Sequence, residues 1–192
     1  MFDLVSLLSQ LSKPPIVLFG GSFDPPHNGH FLIIKHILAY PIAKLLIVPS
    51  FLNPFKTSSL FSPQQRQRWL EQIIMQEELQ NVEILDFEIE QNRPTPTILT
   101  VKHTQGLFPN IPISLIVGED QLGRLSEWNQ FEKLKKEVSF IIFGRSTGSY
   151  DVGILEEIQC AFVPFECAIS STDLREKIKK DIDIASFIPF VL

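Results

Sequence analysis

The stretch Ile16-Val17-Leu18-Phe19-Gly20-Gly21-Ser22-Phe23-Asp24-Pro25-Pro26-His27-Asn28-Gly29-His30 decides the fold. Four consecutive apolar residues ending at Gly20-Gly21 read as a short buried strand that runs into a tight turn. Residues 29–40 read as a helix, with Phe31, Ile33, Ile34, Ile37 and Leu38 apolar. Two glycines let the backbone approach a ligand closely. The N–H groups opening the next helix face any bound anion, and the helix dipole favours it. His27 and His30 are three apart and project from one side of the first helical turn. Two imidazoles there can donate hydrogen bonds to phosphate oxygens. The turn holds neither a P-loop lysine nor G-x-G-x-x-G. On a purely structural reading it is a strand-to-helix connection capped by Asn28, with incidental histidines. No third ligand lies near the two histidines, so no protein-held metal is expected.

Outward from this turn the chain alternates. Leu45–Val48, Val82–Leu85, Ile113–Val117, Val138–Phe143 and Ala161–Val163 read as further strands. Ser62-Pro63 opens a helix with serine at the N-cap and proline at the first helical position. Pro94-Thr95-Pro96-Thr97 opens another over 97–106, a helical pattern follows around 127–136, and Ser170–Lys180 is a helix with a serine-rich start. Residues 50–62 show little periodicity and read as a loop long enough to act as a lid. Alternation of this kind predicts an α/β fold with a doubly wound parallel sheet. Ligands then sit beyond the C-terminal ends of the strands, after residues 19, 48, 117 and 143.

The 192 residues are 44% hydrophobic and 20% charged, which fits one folded domain and excludes a disordered chain. Lys and Arg total 17 against 22 Asp and Glu, a net charge of −5. That balance argues against a nucleic-acid or anionic-membrane binder. Apolar runs fall far short of the roughly 20 residues that span a bilayer. The N-terminal segment carries Asp3 and lacks a basic start and a small-residue cleavage site, so it reads as an amphipathic helix stopped by Pro14-Pro15. Cys160 and Cys167 form neither C-x-x-C nor a disulfide framework, and reduced thiols suit a cytoplasmic protein. Sixteen phenylalanines leave room for an apolar face between copies of the chain, a homo-oligomer.

A second motif, Ile169-Ser170-Ser171-Thr172-Asp173-Leu174-Arg175, starts a helix with hydroxyls and free N–H groups and places Arg175 one turn in. This is an anion cradle with a potentially bidentate donor. Its plain reading is a serine cap with a surface arginine.

Together the two motifs resemble the signatures G-x-F-D-P-x-H-x-G-H and I-S-S-T-x-x-R of the nucleotidylyltransferase superfamily. Residues 15–185 are similar to bacterial nicotinate-nucleotide adenylyltransferases. Asn53-Pro54-Phe55-Lys56 stands in place of that family's Pro-Pro-His-Lys, Asp86–Glu90 followed by Pro94–Thr97 resembles its segment ending P-S-Y-T, and Val117-Gly118-Glu119-Asp120 with Leu122, Leu125 and Trp128 resembles its G-x-D…L…W. The resemblance implies a Rossmann-like nucleotidylyltransferase fold over 1–192, with a helical extension over 1–14 and a C-terminal helical part over 165–192. It implies that the 5′-phosphate of nicotinate mononucleotide attacks the α-phosphorus of ATP and displaces pyrophosphate, with Mg²⁺ carried on the triphosphate. His27, His30, Lys56 and Arg175 are then the catalytic set. Gly20, Gly21, Ser22, Phe23, Gly118, Asp120, Ser170, Ser171 and Thr172 bind ATP. Thr97, Ile98, Trp128, Asn129 and Arg145 bind the pyridine nucleotide, with Trp128 stacking on the ring. Asp24 shapes the turn and Trp69 is core.

Departures fall on the pyridine side. Phe55 replaces the usual histidine, Gln91 an arginine, Pro96 a tyrosine and Leu99 an aspartate. Transfer to nicotinamide mononucleotide is therefore an alternative, and a nucleotide-binding paralogue without activity is another. Pantetheine-phosphate adenylyltransferases are similar in the first motif but usually carry threonine at the position of His27.

Overall fold

The computed structural model describes residues 3–144 and 152–190. Its centre is a six-stranded, wholly parallel sheet. The strands are β1 Ile16–Gly21, β2 Lys44–Pro49, β3 Val82–Ile84, β4 Ile113–Gly118, β5 Val138–Gly144 and β6 Cys160–Pro164. Their order is β3-β2-β1-β4-β5-β6. The chain reverses its direction of travel across the sheet between β1 and β4, which opens a crevice at their C-terminal ends. The strands read as continuous apolar runs because both sheet faces are covered.

One face packs against α1 Leu4–Ser9, α2 Asn28–Leu38, α3 Pro63–Gln76 and α8 Ser171–Lys179 through Leu7, Ile34, Ile37, Leu70, Ile73 and Leu174. The other meets α5 Thr97–Leu107, α6 Phe131–Glu137 and α7 Val152–Glu157 through Ile98, Val101, Leu134 and Ile154. Ser62 caps α3 and Pro63 stands in its first turn, as the sequence predicts. Trp69 is core, stacked on Phe190 at 5.0 Å. Cys160 and Cys167 are free thiols. No helix among the described residues is long and apolar enough to cross a membrane.

Three details differ from the sequence reading. Residues Glu119–Glu127 form a 3₁₀ segment, and the following α-helix begins only at Phe131. A single turn, α4 Phe87–Glu90, fills the connection after β3. Helix α7 precedes β6 where no helix was expected. Each is too short to show a periodic apolar face.

Arg66 has no exposed surface, yet it lies in an otherwise amphipathic helix. Its guanidinium donates to the carbonyls of Ser22, Ser50, Phe51 and Phe61. One side chain thus ties the turn after β1 to the turn after β2 and to the end of the 50–62 loop. Replacing Arg66 with Met would leave these carbonyls without their donor, at about 1–3 kcal/mol each where burial persists. The expected outcome is a loss of about 3 kcal/mol or more, read as a lowered urea midpoint; an unchanged midpoint would show that water replaces the guanidinium.

Candidate active site

The chain leaves β1 at Gly21 and turns into α2. Phe23 adopts a left-handed backbone, φ 49°, uncommon for a bulky residue. Packing holds it there: its ring is 1% exposed and meets Phe19 edge-on at 5.3 Å and His30 at 4.9 Å. A Cβ on Gly21 would press on this ring at 3.1 Å.

The cap of α2 is His27, not Asn28. Nδ1 of His27 accepts the Gly29 N–H at 3.1 Å, and Nδ1 of His30 accepts the His27 N–H at 3.2 Å. Asn28 is the first helical residue, and its amide donates to the Ser186 carbonyl. An imidazole that accepts at Nδ1 carries its proton on Nε2. The backbone therefore sets both rings as Nε2–H donors. They lie 3.8 Å apart, 32° from parallel. Burial lowers His27 to about 4. His30 falls well below its ordinary value, through burial first and His27 second. Both are neutral donors near pH 7. Gly29 is required by close approach, since a Cβ there would fall 2.6 Å from Cys167 Sγ.

The second motif docks on the first. Ser171 Oγ donates to the Pro25 carbonyl at 2.9 Å, and Arg175 donates to the Asp24 carbonyl at 2.8 Å and to Thr172 Oγ1 at 2.9 Å. Asp24 in turn accepts the backbone N–H groups of Leu60 and Phe61, both at 2.9 Å, so it shapes the turn as expected. Lys56 reaches over the same turn, 3.2 Å from Ser22 Oγ. Burial pushes its pKa down, and the Arg175 charge pushes it further.

These groups border one cavity of about 810 Å³ at the C-terminal edge of the sheet. Gly20, Gly21, Ser22, Phe23, His27, His30 and Lys56 line it on one side. Gly118, Asp120, Trp128, Asn129 and Thr97 line it on the other, and Ser171 and Thr172 close an end. Not every expected residue lines the cavity. The Ile98 side chain is fully buried and outside the lining, and the resemblance asks there only for a backbone N–H. Ser170 is outside the lining, its hydroxyl committed to a capping box with Asp173. Arg175 stands behind the wall rather than in it, holding Asp24 and Thr172. Arg145 lies outside the described residues.

The wall also contains groups that the sequence reading did not single out. Ser50 is 7% exposed, and among the described residues its hydroxyl has no hydrogen-bond partner; the indole N–H of the expected Trp128 has none either. The position of Ser50 just past a strand end was the available signal. Glu88 of α4 is 9% exposed and accepts the Thr100 hydroxyl at 2.7 Å. Burial pushes its carboxyl up to about 7, against the Thr100 bond, which lowers it. Pro96 caps α5 without a side-chain bond; its carbonyl accepts the Leu99 N–H at 2.9 Å, and the Thr97 and Ile98 N–H groups have no side-chain cap.

The raised Glu88 pKa has a defined sign in stability. The folded state holds this proton more tightly than the unfolded chain, so the contribution is complete below about 4.5 and lost as pH rises through about 7. Glu88→Gln is expected to gain melting temperature over the parent between pH 5 and pH 8. A difference that does not change with pH would refute the shift.

Comparisons with known proteins follow the geometry. The family model for cytidylyltransferase-like proteins matches residues 18–177. The chain is 41% identical over 165 residues to the probable nicotinate-nucleotide adenylyltransferase of Sulfurimonas denitrificans, covering 85% of each chain. It is 45% identical over 140 residues to that named in Campylobacter jejuni strain RM1221, covering 72% of this chain and 74% of that one. Among solved structures, Plasmodium falciparum nicotinic acid mononucleotide adenylyltransferase complexed with NaAD superposes with TM-score 0.74 at 25% identity, covering 92% and 91% of the two chains. With 41% identity carried across 85% of its length, and the family model spanning both phosphate motifs, the chain belongs to the nicotinate-nucleotide adenylyltransferases of the cytidylyltransferase-like family.

Proposed function

We infer that the protein transfers the adenylyl group of ATP to nicotinate mononucleotide. A 5′-phosphate oxygen of the acceptor bonds to the α-phosphorus. The bond from that phosphorus to the bridging oxygen of the β-phosphate breaks, and pyrophosphate leaves with nicotinate adenine dinucleotide as the other product. The attacking phosphate is already ionised, so no protein base is needed. Rate comes from positioning and from stabilising charge on the phosphoryl oxygens.

The observation that carries this reading is the pair of Nε2–H donors whose tautomer the backbone fixes, facing one cavity with Lys56. Preset donors need no reorganisation when charge develops. In this reading His30 holds an α-phosphate oxygen in the transition state and His27 a neighbouring one. Lys56, Thr172 and the backbone of Ser171 take the departing phosphates, and Arg175 adds charge while fixing Thr172. Gly20, Gly21, Ser22 and Phe23 approach through backbone, and Asp120, folded against Gly118, faces the adenosine ribose. On the acceptor side the ring stacks on Trp128, and its carboxylate accepts N–H groups at the start of α5 and near Asn129. Among the described residues no three His, Cys, Asp or Glu gather to cage a metal, a donor set that fits Mg²⁺ brought in on the triphosphate. When bound, that ion neutralises phosphoryl charge. The inferred location is the cytoplasm, where both free thiols stay reduced.

His30→Ala is expected to lower turnover at least about a hundredfold while the far-ultraviolet spectrum stays close to the parent and the melting temperature falls only modestly, through loss of its capping bond to the His27 N–H. Near-normal turnover would remove His30 from the mechanism. Pyrophosphate release with ATP and Mg²⁺ should be strong with nicotinate mononucleotide and absent with phosphopantetheine; release with neither pyridine mononucleotide would overturn the assignment.

A further inference from the structure

Glu88 is an acid in a place where an acid is costly. It sits on the single turn α4, in the wall of the cavity beside Thr95, Pro96, Thr97 and Thr100. One carboxyl oxygen accepts the Thr100 hydroxyl. Among the described residues no salt bridge reaches it, and a buried carboxylate without a cation is unfavourable. Thr100 lies one turn along α5 from Thr97, so the bond fastens Glu88 to the helix whose uncapped start faces the cavity. A side chain needed only to bond Thr100 could be an amide, which carries no such penalty.

We propose that Glu88 reads the charge of the ring substituent on the acceptor. The proposal rests on the assignment of this end of the cavity to the pyridine nucleotide. A neutral carboxyl carries an O–H that an anionic ring carboxylate accepts. An ionised one repels that carboxylate and instead accepts from the N–H₂ of an uncharged carboxamide. The carboxyl is poised to do both, because burial brings it near neutrality. Several charged groups are candidates to perturb it: Asp86 and Glu90 on its own turn, Lys102 and His103 of α5, Lys44 of β2, and His27, His30, Lys56, Asp120 and Glu127 around the cavity. His103 is stacked on Phe87. None of these charges enters the shift, whose causes are burial and the Thr100 bond alone.

The test is the ratio of two dissociation constants, for nicotinate and nicotinamide mononucleotide, measured by titration calorimetry on the full chain between pH 5.5 and 8.5. Both ligands carry the same 5′-phosphate, so its own ionisation cancels in the ratio. In the parent protein the preference for the nicotinate ligand is expected to fall at least about tenfold over this range. Glu88→Gln should flatten the ratio. Thr100→Val removes the bond that favours the ionised form, so the midpoint should move to higher pH, which a merely structural Glu88 would not produce. That variant also serves if Glu88→Gln fails to fold. A ratio that falls identically in parent and Glu88→Gln, or that is flat in the parent, overturns the proposal while leaving the acceptor assignment standing. Binding of neither mononucleotide at any pH overturns both.

Discussion

The site depends on a guanidinium that water never reaches. Arg66 gathers the carbonyls of Ser22, Ser50, Phe51 and Phe61, which belong to two connections at one edge of the sheet, the turn after β1 and both ends of the loop after β2. Buried carbonyls need donors, and in irregular backbone no strand or helix supplies them. Asp24 completes the frame from the other side. Its carboxylate fixes Leu60 and Phe61 of the long loop, and its carbonyl fixes Arg175 of α8. The two phosphate motifs, some 140 residues apart in the chain, thereby become one rigid turn. Rigidity matters because donors held before the reaction cost nothing to orient during it.

Within that frame the charges divide the work. Both histidines are kept neutral, since their Nδ1 lone pairs serve backbone N–H groups and burial disfavours a cation. They offer direction rather than charge. Positive charge comes from Lys56 and Arg175, close enough that the Arg175 charge adds to burial in lowering the Lys56 pKa. Such a pair is relieved by a polyanion, so the triphosphate's binding and the protein's own electrostatic strain favour the same event.

Most of the scaffold was legible in the sequence. The β1 turn, the Ser62-Pro63 helix start and the parallel alternation all follow from local residue chemistry, and the structure bears them out. What escaped the reading shares a physical reason. Arg66 looks like any polar residue of an amphipathic helix, and only tertiary packing makes its face an inside face. Ser170 looks like an anion donor, but its hydroxyl caps its own helix, donating to the Asp173 carboxylate and accepting the Asp173 N–H. Asn28 is the better N-cap by propensity, yet an imidazole one residue earlier takes the role because two histidines can cap reciprocally. Glu88 carries no sequence mark of burial at all.

The departures from the family pattern do not dismantle the acceptor end. Pro96 has no N–H, but it stands at the N-cap of α5. The N–H groups opening this helix belong to the residues after it, and no side-chain cap bond occupies them. Leu99 is 36% exposed and outside the cavity wall, so losing the usual aspartate removes no lining group. Phe55, in place of histidine, lies under the Arg124 guanidinium at 4.1 Å. That contact joins the tip of the 50–62 loop to the 3₁₀ segment across the cavity mouth, and a cation over an aromatic face supplies attraction where a histidine would have supplied a hydrogen bond. The substitutions therefore change how the pocket is held around its ligand more than what it offers to that ligand. This leaves the acidic wall residue, rather than the altered positions, as the proposed discriminator between the pyridine nucleotides.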